Sequence, residues 1–424
     1  MPVISLPSLP APNSVDILFV TYGGGHVRMV LPVAKALQDA GHSVSIFALT
    51  TAIEPTQKSG LPWFSYASLP QAKSHDVQSH GNRLTEGFPK DGPVPFVETV
   101  AYHGINYCNM EKEYGAQEAA IRYEKDGRAQ FYPIHTMKEI LTELRPKVVV
   151  ATNSPRSEMA AIRAANMLDI PSLCMVDLFA LQEQAWIKDP NYATEICVIN
   201  TEVRDMLVSK GRPAEDIIIT GNPAFDELQD PKTISAGQIM RKERSWGEAG
   251  RITLLYASSP EPLINPHSGQ PTDPSYLKLP LQLEQKLIDL VSSDPDLELV
   301  IRRHPSQPQN VALQQKVWQS TMEDNIDTLL HAVDIVVVTS STVGFQAYIA
   351  GRPVLSVECS SISQDMPYGA YGISHAVKSL EEISTALEEI IEGLYELNAD
   401  IDEPKSLATT KVSERIRQYI SLNL

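Results

Sequence analysis

The chain alternates short, wholly apolar segments with amphipathic segments, and polar turns separate them. The first example begins at Val15 and reads VDILFVT, YGGGH, VRMVLPVAKALQDAG and SVSIFALT. Unbroken apolar strands must be covered on both faces, as in parallel sheets that carry helices on each side. The apolar segments KVVVAT, PSLCMV, EICVIN and IIIT continue the pattern. This alternation predicts a doubly wound α/β domain.

A second series of the same kind follows a polar stretch at 230–251, which we interpret as the linker. Its apolar segments are ITLLYAS, LELVIRR, DIVVVTS and RPVLSVE. The chain has 424 residues, more than the roughly 250 to 300 that one hydrophobic core accommodates. We therefore expect an α/β fold of two doubly wound domains, at 1–229 and 230–405. Residues 406–424 predict a final amphipathic helix that packs back on the first domain.

Charge and hydropathy exclude several classes of partner. The chain has 52 Asp and Glu against 35 Lys and Arg, a formal net charge of -17, which opposes binding to nucleic acid. No segment approaches the roughly 20 apolar residues of a transmembrane helix. The N-terminus lacks the basic region of a signal peptide. We expect a cytoplasmic protein, and peripheral membrane contact and a homodimer stay open.

The cysteines and one irregular segment complete the survey of the chain. Cys108, Cys174, Cys197 and Cys359 lie far apart and lack metal-site spacing, so we expect reduced thiols and no metal ion. Residues 70–128 are rich in Gly, Pro, His and Tyr and show no clean periodicity. Long irregular insertions of this kind are often functional, so a lid or an acceptor loop is expected there.

The turn after the first strand is the first candidate site. In open parallel sheets, ligands bind beyond the carboxyl ends of the strands. Gly23, Gly24 and Gly25 let the backbone approach a ligand closely, and His26 suits proton abstraction near neutral pH. The spacing is not that of a dinucleotide-binding GxGxxG motif. A tight turn with a histidine at the start of a helix explains the motif equally well.

Two further strand ends of the first domain carry polar side chains. Asp177 follows LCMV, and the turn TNSPR contains Asn153 and Arg156. A carboxylate there suits a general base or a ligand of a sugar hydroxyl. We expect Asp177 to assist His26, with Asn153 and Arg156 on the acceptor side.

Strand ends of the second domain carry groups that suit phosphate. The motifs are YASSPEP, RRHPSQ, TSSTVG and the glutamate after VLSV. Hydroxyls and free amides at a helix start bind anions, and cations offset the charge of a leaving phosphate. Surface turns and ordinary N-caps are the alternative for each motif taken alone. The candidate nucleotide ligands are Ser258, Ser259, Arg302, His304, Pro305, Ser340, Ser341, Thr342 and Glu358.

These motifs resemble those of the GT-B superfamily, in which two Rossmann-like domains face each other and a nucleotide-sugar binds mainly the C-terminal one. The turn ending in His26 resembles the glycine-rich turn of GT-B glycosyltransferases. His304-Pro305 and Ser340-Ser341 resemble the HP and SS motifs of bacterial sialyltransferases and Kdo transferases. TNSPR, VDLF, ITGNPAFDEL and TSSTVGFQAYIAGRPVL are similar to segments of UDP-N-acetylglucosamine 2-epimerases.

The resemblance implies a metal-independent glycosyltransferase that moves a sugar from a UDP- or CMP-linked donor to a hydroxyl acceptor, in glycan or surface polysaccharide biosynthesis. The donor is the bound nucleotide, and no further cofactor is expected. A UDP-N-acetylhexosamine 2-epimerase, hydrolysing or non-hydrolysing, and a non-catalytic nucleotide-sugar-binding protein are the alternatives. The epimerase motifs THRREN and EENR are replaced by YASSPEP and WIKDPNY, which favours transfer.

Overall fold

Two parallel sheets form the framework of the chain, and each belongs to its own compact unit. A computed structural model describes residues 7–304, 306–308, 314–393 and 407–422. The N-terminal unit comprises Met1–Ala224 and Pro404–Leu424, and the C-terminal unit comprises Phe225–Glu403. The prediction of two Rossmann-like doubly wound domains is confirmed by the order of the strands in both sheets.

The sheet of the N-terminal unit has seven strands among the described residues, all parallel, in the order β3-β2-β1-β4-β5-β6-β7. Every residue of β1, β2, β4, β5 and β6 is buried, as the unbroken apolar segments require. The strands are β1 (Ile17–Thr21), β2 (Val44–Ala48), β3 (Trp63–Phe64), β4 (Val148–Thr152), β5 (Ser172–Met175), β6 (Glu195–Val198) and β7 (Ile217–Ile219).

The helices of this unit cover the sheet with apolar faces. In the first of them, Val27, Val30, Val33, Ala34 and Leu37 repeat at helical spacing and are buried. The helices are α1 (Gly25–Asp39), α2 (Ile53–Ser59), α3 (His75–Leu84), α4 (Phe96–Tyr114), α5 (Ala116–Asp126), α6 (Ile134–Leu144), α7 (Ser157–Met167), α8 (Gln184–Ile187) and α9 (Thr201–Ser209).

The C-terminal unit repeats the arrangement with a parallel sheet of six strands in the part of the chain that is described, in the order β10-β9-β8-β11-β12-β13. The strands are β8 (Ile252–Ala257), β9 (Leu297–Arg302), β10 (Val317–Gln319), β11 (Ile335–Val338), β12 (Val354–Val357) and β13 (His375–Val377). The helices are α10 (Pro231–Glu243), α11 (Pro274–Leu277), α12 (Leu279–Ser293), α13 (Ile326–Leu330), α14 (Val343–Ile349) and α15 (Ile383–Ile391). One core of this unit joins one face of the central strands to two of the helices, α12 and α15.

The interpretation of the polar stretch at 230–251 as a linker is wrong, because this stretch belongs to the C-terminal unit. It forms helix α10, which Asp230 caps by accepting a hydrogen bond from the Lys232 amide. Gly237 lies so close to α13 that a Cβ there would sit 2.3 Å from the Cβ of His331. A helix that packs through a glycine and hydrogen bonds shows little apolar periodicity, so its sequence resembles a linker.

The last helix, α16 (Ala408–Leu422), belongs to the N-terminal unit and packs against α1. Arg415 on α16 forms an ion pair with Glu195 of β6, with Nε at 2.8 Å from Oε1 and 2.6 Å from Oε2. The Glu195 side chain is only 3% exposed. A charge buried to that degree requires its partner, so this pair ties α16 to strand β6.

The segment at 70–128 is mostly helical, which corrects the expectation of an irregular insertion. Helices α3, α4 and α5 occupy most of it. Eleven residues of α4 are buried, including the consecutive run from Val100 to Tyr107. A helix buried around its whole circumference has no polar stripe, so its sequence lacks the period that reveals amphipathic helices. No helix in the described residues is long and apolar enough to cross a membrane.

Glu98 in α4 predicts a pH-dependent stability of the N-terminal unit. Burial raises the pKa of this carboxyl from 4.5 to about 7, against hydrogen bonds from Ser65, Ala67 and Tyr66. Because folding raises the pKa of the Glu98 carboxyl, this group contributes its full stabilisation below its pKa in the unfolded chain. That stabilisation is lost as the pH rises through about 7. The melting temperature of the wild type is expected to fall between about pH 5 and pH 8 more than that of Glu98→Gln. Parallel thermal scans test this, and identical slopes for the two proteins would contradict it.

Candidate functional site

Each sheet reverses its strand order next to its first strand, and the candidate residues cluster at that point. In the N-terminal unit the reversal lies between β1 and β4, where Val20 pairs with Ala151. The glycine-rich turn and the TNSPR turn therefore leave the sheet side by side. The crevice beyond such a switch point is where open α/β sheets bind ligands.

The glycine-rich turn is shaped by close packing and by backbone conformation. A Cβ on Gly23 would lie 1.9 Å from the Thr51 Oγ1, so no larger residue fits there. Gly24 has a φ of 68°, which favours glycine, and α1 starts at Gly25. The turn therefore brings bare backbone and the start of α1 to the switch point, with His26 in the first turn of the helix.

His26 is held by a relay of hydrogen bonds that leads into the core. Its Nδ1 lies 2.6 Å from the Oγ1 of Thr152, the last residue of β4. The Thr152 hydroxyl donates to Oε1 of Glu158 at 2.7 Å, and the backbone amide of Tyr22 donates to the same oxygen at 2.9 Å. His26, Thr152 and Glu158, hereafter the imidazole relay, thus link α1, β4 and α7.

The relay determines which nitrogen of His26 carries the proton. Because the single hydroxyl proton of Thr152 goes to Glu158, its oxygen accepts from Nδ1–H, and the Nε2 lone pair is available as a base. Glu158 is completely buried, and burial raises the pKa of its carboxyl, while the His26 imidazole and the hydrogen bonds oppose this rise. The arrangement fixes the orientation of the imidazole, as in other carboxylate-assisted histidines.

Asp177, expected to assist His26, contacts other residues. Its Oδ1 accepts hydrogen bonds from the Asn153 Nδ2 at 2.9 Å and from the Leu178 amide at 2.8 Å. The Asn153 Oδ1 in turn accepts from the Asp177 amide, and the Asn222 Nδ2 donates to the Asp177 carbonyl. This network holds the loops after β4, β5 and β7 together, and the carboxylate linked to His26 is that of Glu158.

Arg156 lies beside the relay in a strained conformation. Its φ of 71° and ψ of -113° are rarely adopted by residues other than glycine. The guanidinium stacks over the Tyr22 ring, 5.4 Å from its centroid, and Nε is buried without a hydrogen-bond partner in the described part of the chain. The Tyr22 hydroxyl lies 3.1 Å from that of Tyr102 in α4. A cation is thus presented at the switch point at a cost in backbone strain.

In the C-terminal unit the reversal lies between β8 and β11, where Ala257 pairs with Val338. Ser258 and Ser259 follow β8, and the run from Thr339 follows β11 next to them. Ser340 is buried, the Ser341 Oγ accepts from the Val343 amide at 3.3 Å, and Thr342 is the N-cap of α14. The structure therefore brings the two serine-containing loops together at one switch point.

The basic motif after β9 is largely committed to internal contacts. Nη1 of Arg302 donates to the Ser320 Oγ and to the carbonyls of Thr321 and Asp324. Arg303 forms a nearly buried ion pair with Glu284. Arg302 thus ties β9 to the loop after β10, an arrangement that differs from the phosphate contact expected for it.

The remaining members of the expected nucleotide site are placed as follows. The His304 Nδ1 lies 2.8 Å from the Ser306 Oγ, and Pro305 lies outside the described residues. Oε2 of Glu358 accepts from the Lys378 Nζ at 2.5 Å, and Oε1 accepts from the Gly369 amide at 2.8 Å. The Glu358 carboxylate therefore holds the loop before β13, although a ribose ligand was expected at this position.

Sequence reasoning missed Glu158, Tyr22 and Tyr102 as parts of the site. Glu158 lies in the first turn of α7, where an acidic residue is ordinary because it favours the helix dipole. Tyr102 belongs to α4, far from the turn in sequence. The sequence shows the polar side chain at the end of each strand. It does not show Glu158 as a partner of His26, because Glu158 contacts His26 through Thr152.

Comparisons with known proteins place the fold. No family model matches the chain, and none of the curated proteins matches its sequence. Among solved structures, the chain is similar to the UDP-GlcNAc 2-epimerase of Neisseria meningitidis bound to UDP-GlcNAc, with a TM-score of 0.58 and 14% identity over 95% of this chain and 99% of that one. The UDP-GlcNAc 2-epimerase of Methanocaldococcus jannaschii, in complex with UDP-GlcNAc and UDP, gives a TM-score of 0.55 and 11% identity over 96% and 99%.

A glycosyltransferase is also among the similar structures. The glycotransferase of kitacinnamycin gives a TM-score of 0.50 and 12% identity over 97% of this chain and 96% of that one. At identities this low the comparisons establish the fold alone, a chain of two Rossmann-like units similar to those of the UDP-GlcNAc 2-epimerases and of the glycotransferase of kitacinnamycin.

Proposed function

We propose that the chain is an enzyme acting on a nucleotide-linked sugar, with His26 as its general base, and that it transfers the sugar to a hydroxyl acceptor. The observation that carries this proposal is the imidazole relay at the switch point of the N-terminal sheet. A histidine with its Nδ1 proton directed to a buried carboxylate through a hydroxyl is oriented to accept a proton at Nε2. Supporting it, proteins of the same fold bind UDP-GlcNAc or UDP.

The transfer follows from this arrangement. The His26 Nε2 takes the proton of the acceptor hydroxyl as its oxygen forms a bond to C1 of the sugar, and the bond from C1 to the phosphate oxygen breaks. Glu158, through Thr152, stabilises the imidazolium that results. The nucleotide phosphate leaves with the bonding electron pair. Ser340, Ser341 and the amides that start α14 are the donors proposed to receive it.

A UDP-N-acetylhexosamine 2-epimerase is the second candidate, and the structural comparisons favour it over transfer because epimerases recur among the similar structures. Epimerisation at C2 also needs a base, which removes the C2 proton before a proton is added to the opposite face of that carbon. The replacement of the THRREN and EENR motifs by YASSPEP and WIKDPNY favours transfer. The imidazole relay is compatible with either reaction.

Incubation with UDP- and CMP-linked sugars in D₂O separates the candidates. Transfer predicts free nucleotide only when a hydroxyl acceptor is present, and no deuterium in the residual donor. Epimerisation predicts a sugar altered at C2 with deuterium at that carbon, which stays on its nucleotide in a non-hydrolysing enzyme and is released without an acceptor in a hydrolysing one. Binding without turnover would identify a nucleotide-sugar-binding protein and would sink both enzymatic proposals.

The proposed phosphate site gives a prediction for donor binding. Replacing Ser340 and Ser341 with alanine should weaken nucleotide binding, each lost charge-assisted hydrogen bond costing roughly 1.5 to 3 kcal/mol. Titration calorimetry with UDP and CMP measures this. Ser292→Ala in α12, where the hydroxyl donates to the Ile288 carbonyl, is the control. Unchanged affinity in the double variant would remove the phosphate from this loop.

The strained Arg156 gives a prediction in which stability and activity move in opposite directions. Glycine at this position relieves strain of about 1 to 3 kcal/mol, of which its greater chain entropy offsets about 0.5 to 1. Arg156→Gly should therefore raise the melting temperature while lowering kcat/KM. Arg145→Gly, at a φ of 47° in the C-cap of α6, is the matched control that should leave kcat/KM unchanged. If Arg156→Gly is stabilised and keeps full activity, the strained conformation of Arg156 does not contribute to substrate binding or turnover.

A further inference from the structure

Helices α3 and α4 bring three good metal ligands to one point. His80 lies on α3, and Cys108 and Glu111 lie one turn apart on α4. Their ligating atoms all lie within 4.8 Å of one another, and the His80 Nε2 is 3.0 Å from a Glu111 carboxylate oxygen. All three side chains are partly exposed, so solvent and ions reach the cluster. Residue spacing does not reveal this cluster, because His80 and Cys108 are far apart along the chain.

Backbone contacts between the two helices hold this cluster in place. A Cβ on Gly104 would lie 2.0 Å from the Val77 carbonyl oxygen, and one on Gly81 would lie 2.3 Å from that of Val100. The helices therefore cross at a distance that only glycine permits, immediately beside His80. Residues three apart on a helix share a face, so Cys108 and Glu111 both point to the crossing. The three ligands are positioned by the fold itself.

We propose that His80, Cys108 and Glu111 bind Zn²⁺, with solvent in the fourth position. Imidazole, thiolate and carboxylate are the three ligand types that Zn²⁺ takes in proteins, at about 2.0 to 2.3 Å. Tetrahedral bonds of that length separate ligand atoms by about 3.3 to 3.8 Å, so closing the site from 4.8 Å needs only side-chain rotation. The site is independent of the proposed nucleotide-sugar chemistry and joins α3 to α4.

The charges around the cluster favour a cation. The negative charges of Glu111 and Asp76 act on the position of the Cys108 thiol, and both would attract a bound dication. A thiol that coordinates a dication loses its proton and binds as the thiolate. The opposing group is Arg83, whose Nη2 lies 3.4 Å from the His80 Nδ1 and whose guanidinium stacks over Tyr107. Arg83 is exposed and must turn away when Nδ1 carries the proton.

Cobalt substitution of the full chain tests the site. The reduced protein is stripped with a chelator and titrated with Co²⁺ and, separately, with Zn²⁺ against a chromophoric competitor. The expected result is one ion per chain, with a thiolate-to-cobalt charge-transfer band and the visible bands of four-coordinate Co²⁺. Saturation without the charge-transfer band would overturn the proposal, since it requires the Cys108 sulfur as a ligand.

Variants separate this site from adventitious binding. Cys108→Ser should abolish the charge-transfer band and lower Zn²⁺ affinity at least about 100-fold. Cys359→Ser, at another half-buried cysteine, should change neither. Arg83→Ala should raise Zn²⁺ affinity several-fold by removing a neighbouring positive charge. Equal affinity in the wild type and Cys108→Ser, with both folded by circular dichroism, would overturn the assignment.

Discussion

Replacing His26 with alanine is expected to lower kcat about 100-fold or more while nucleotide-sugar binding is retained, since general-base catalysis contributes about 10²- to 10⁴-fold. The variant removes the acceptor of the proton and leaves the candidate phosphate loops of the C-terminal unit untouched. Single-turnover rates at saturating donor measure the effect, with calorimetry for donor affinity. His42→Ala, just beyond the end of α1, is the control and should behave as the wild type.

The relay predicts a graded series behind His26. Thr152→Val breaks both hydrogen bonds of the hydroxyl, and Glu158→Gln removes the charge while keeping the shape. Both variants should lower kcat by less than His26→Ala and leave KM for the donor nearly unchanged. If Asp177→Asn abolishes turnover and Glu158→Gln has no effect, the carboxylate that serves the reaction is Asp177.

Replacing Arg415 with alanine is expected to destabilise the N-terminal unit by about 3 kcal/mol, because breaking a buried ion pair leaves an uncompensated charge. Glu195 is 3% exposed and has both oxygens on the guanidinium. The estimate is at the lower end of the usual 3 to 5 kcal/mol because Arg415 is about one-third exposed. Hydrogen exchange of β6 and α16 measures the loss within this unit.

A double variant provides the control for that loss. Arg415→Met with Glu195→Gln removes both charges and should recover most of the stability, since a neutral pair leaves no buried carboxylate unpaired. Equal stability of Arg415→Ala and the wild type would show that α16 is held by its apolar face alone.

The fold class could be predicted because its determinants are local. Strands such as β1 and β4 are buried on both faces, so each is an unbroken apolar run that is visible in the sequence. Helix α1 shows its period because one face meets solvent. Helix α4 could not be recognised because it is buried all around, and α10 because it packs through Gly237 and polar contacts. Periodicity reports a boundary between core and solvent, and these helices lack one.

The candidate site could be predicted in part, for a related reason. The strand ends that carry His26 and Ser340 follow from the rule that ligands bind beyond parallel strands. The partners of each side chain depend on tertiary contacts. Thr152 connects His26 to Glu158 across two elements, and Arg302 turns to Ser320 and Asp324 in its own unit. The charge of a side chain and its place in the sequence suggest a role for it, and its hydrogen-bond partners in the fold determine whether it is available for that role.

Chemical rescue tests the claim that His26 is the general base most directly. In His26→Gly, the removed side chain leaves room for free imidazole, whose lone pair can accept the same proton. The account predicts that turnover of the nucleotide-sugar falls about 100-fold or more and rises again with imidazole concentration, while donor affinity stays constant. A His26→Gly enzyme that turns over at the wild-type rate without imidazole, or one that loses donor binding together with turnover, would contradict it.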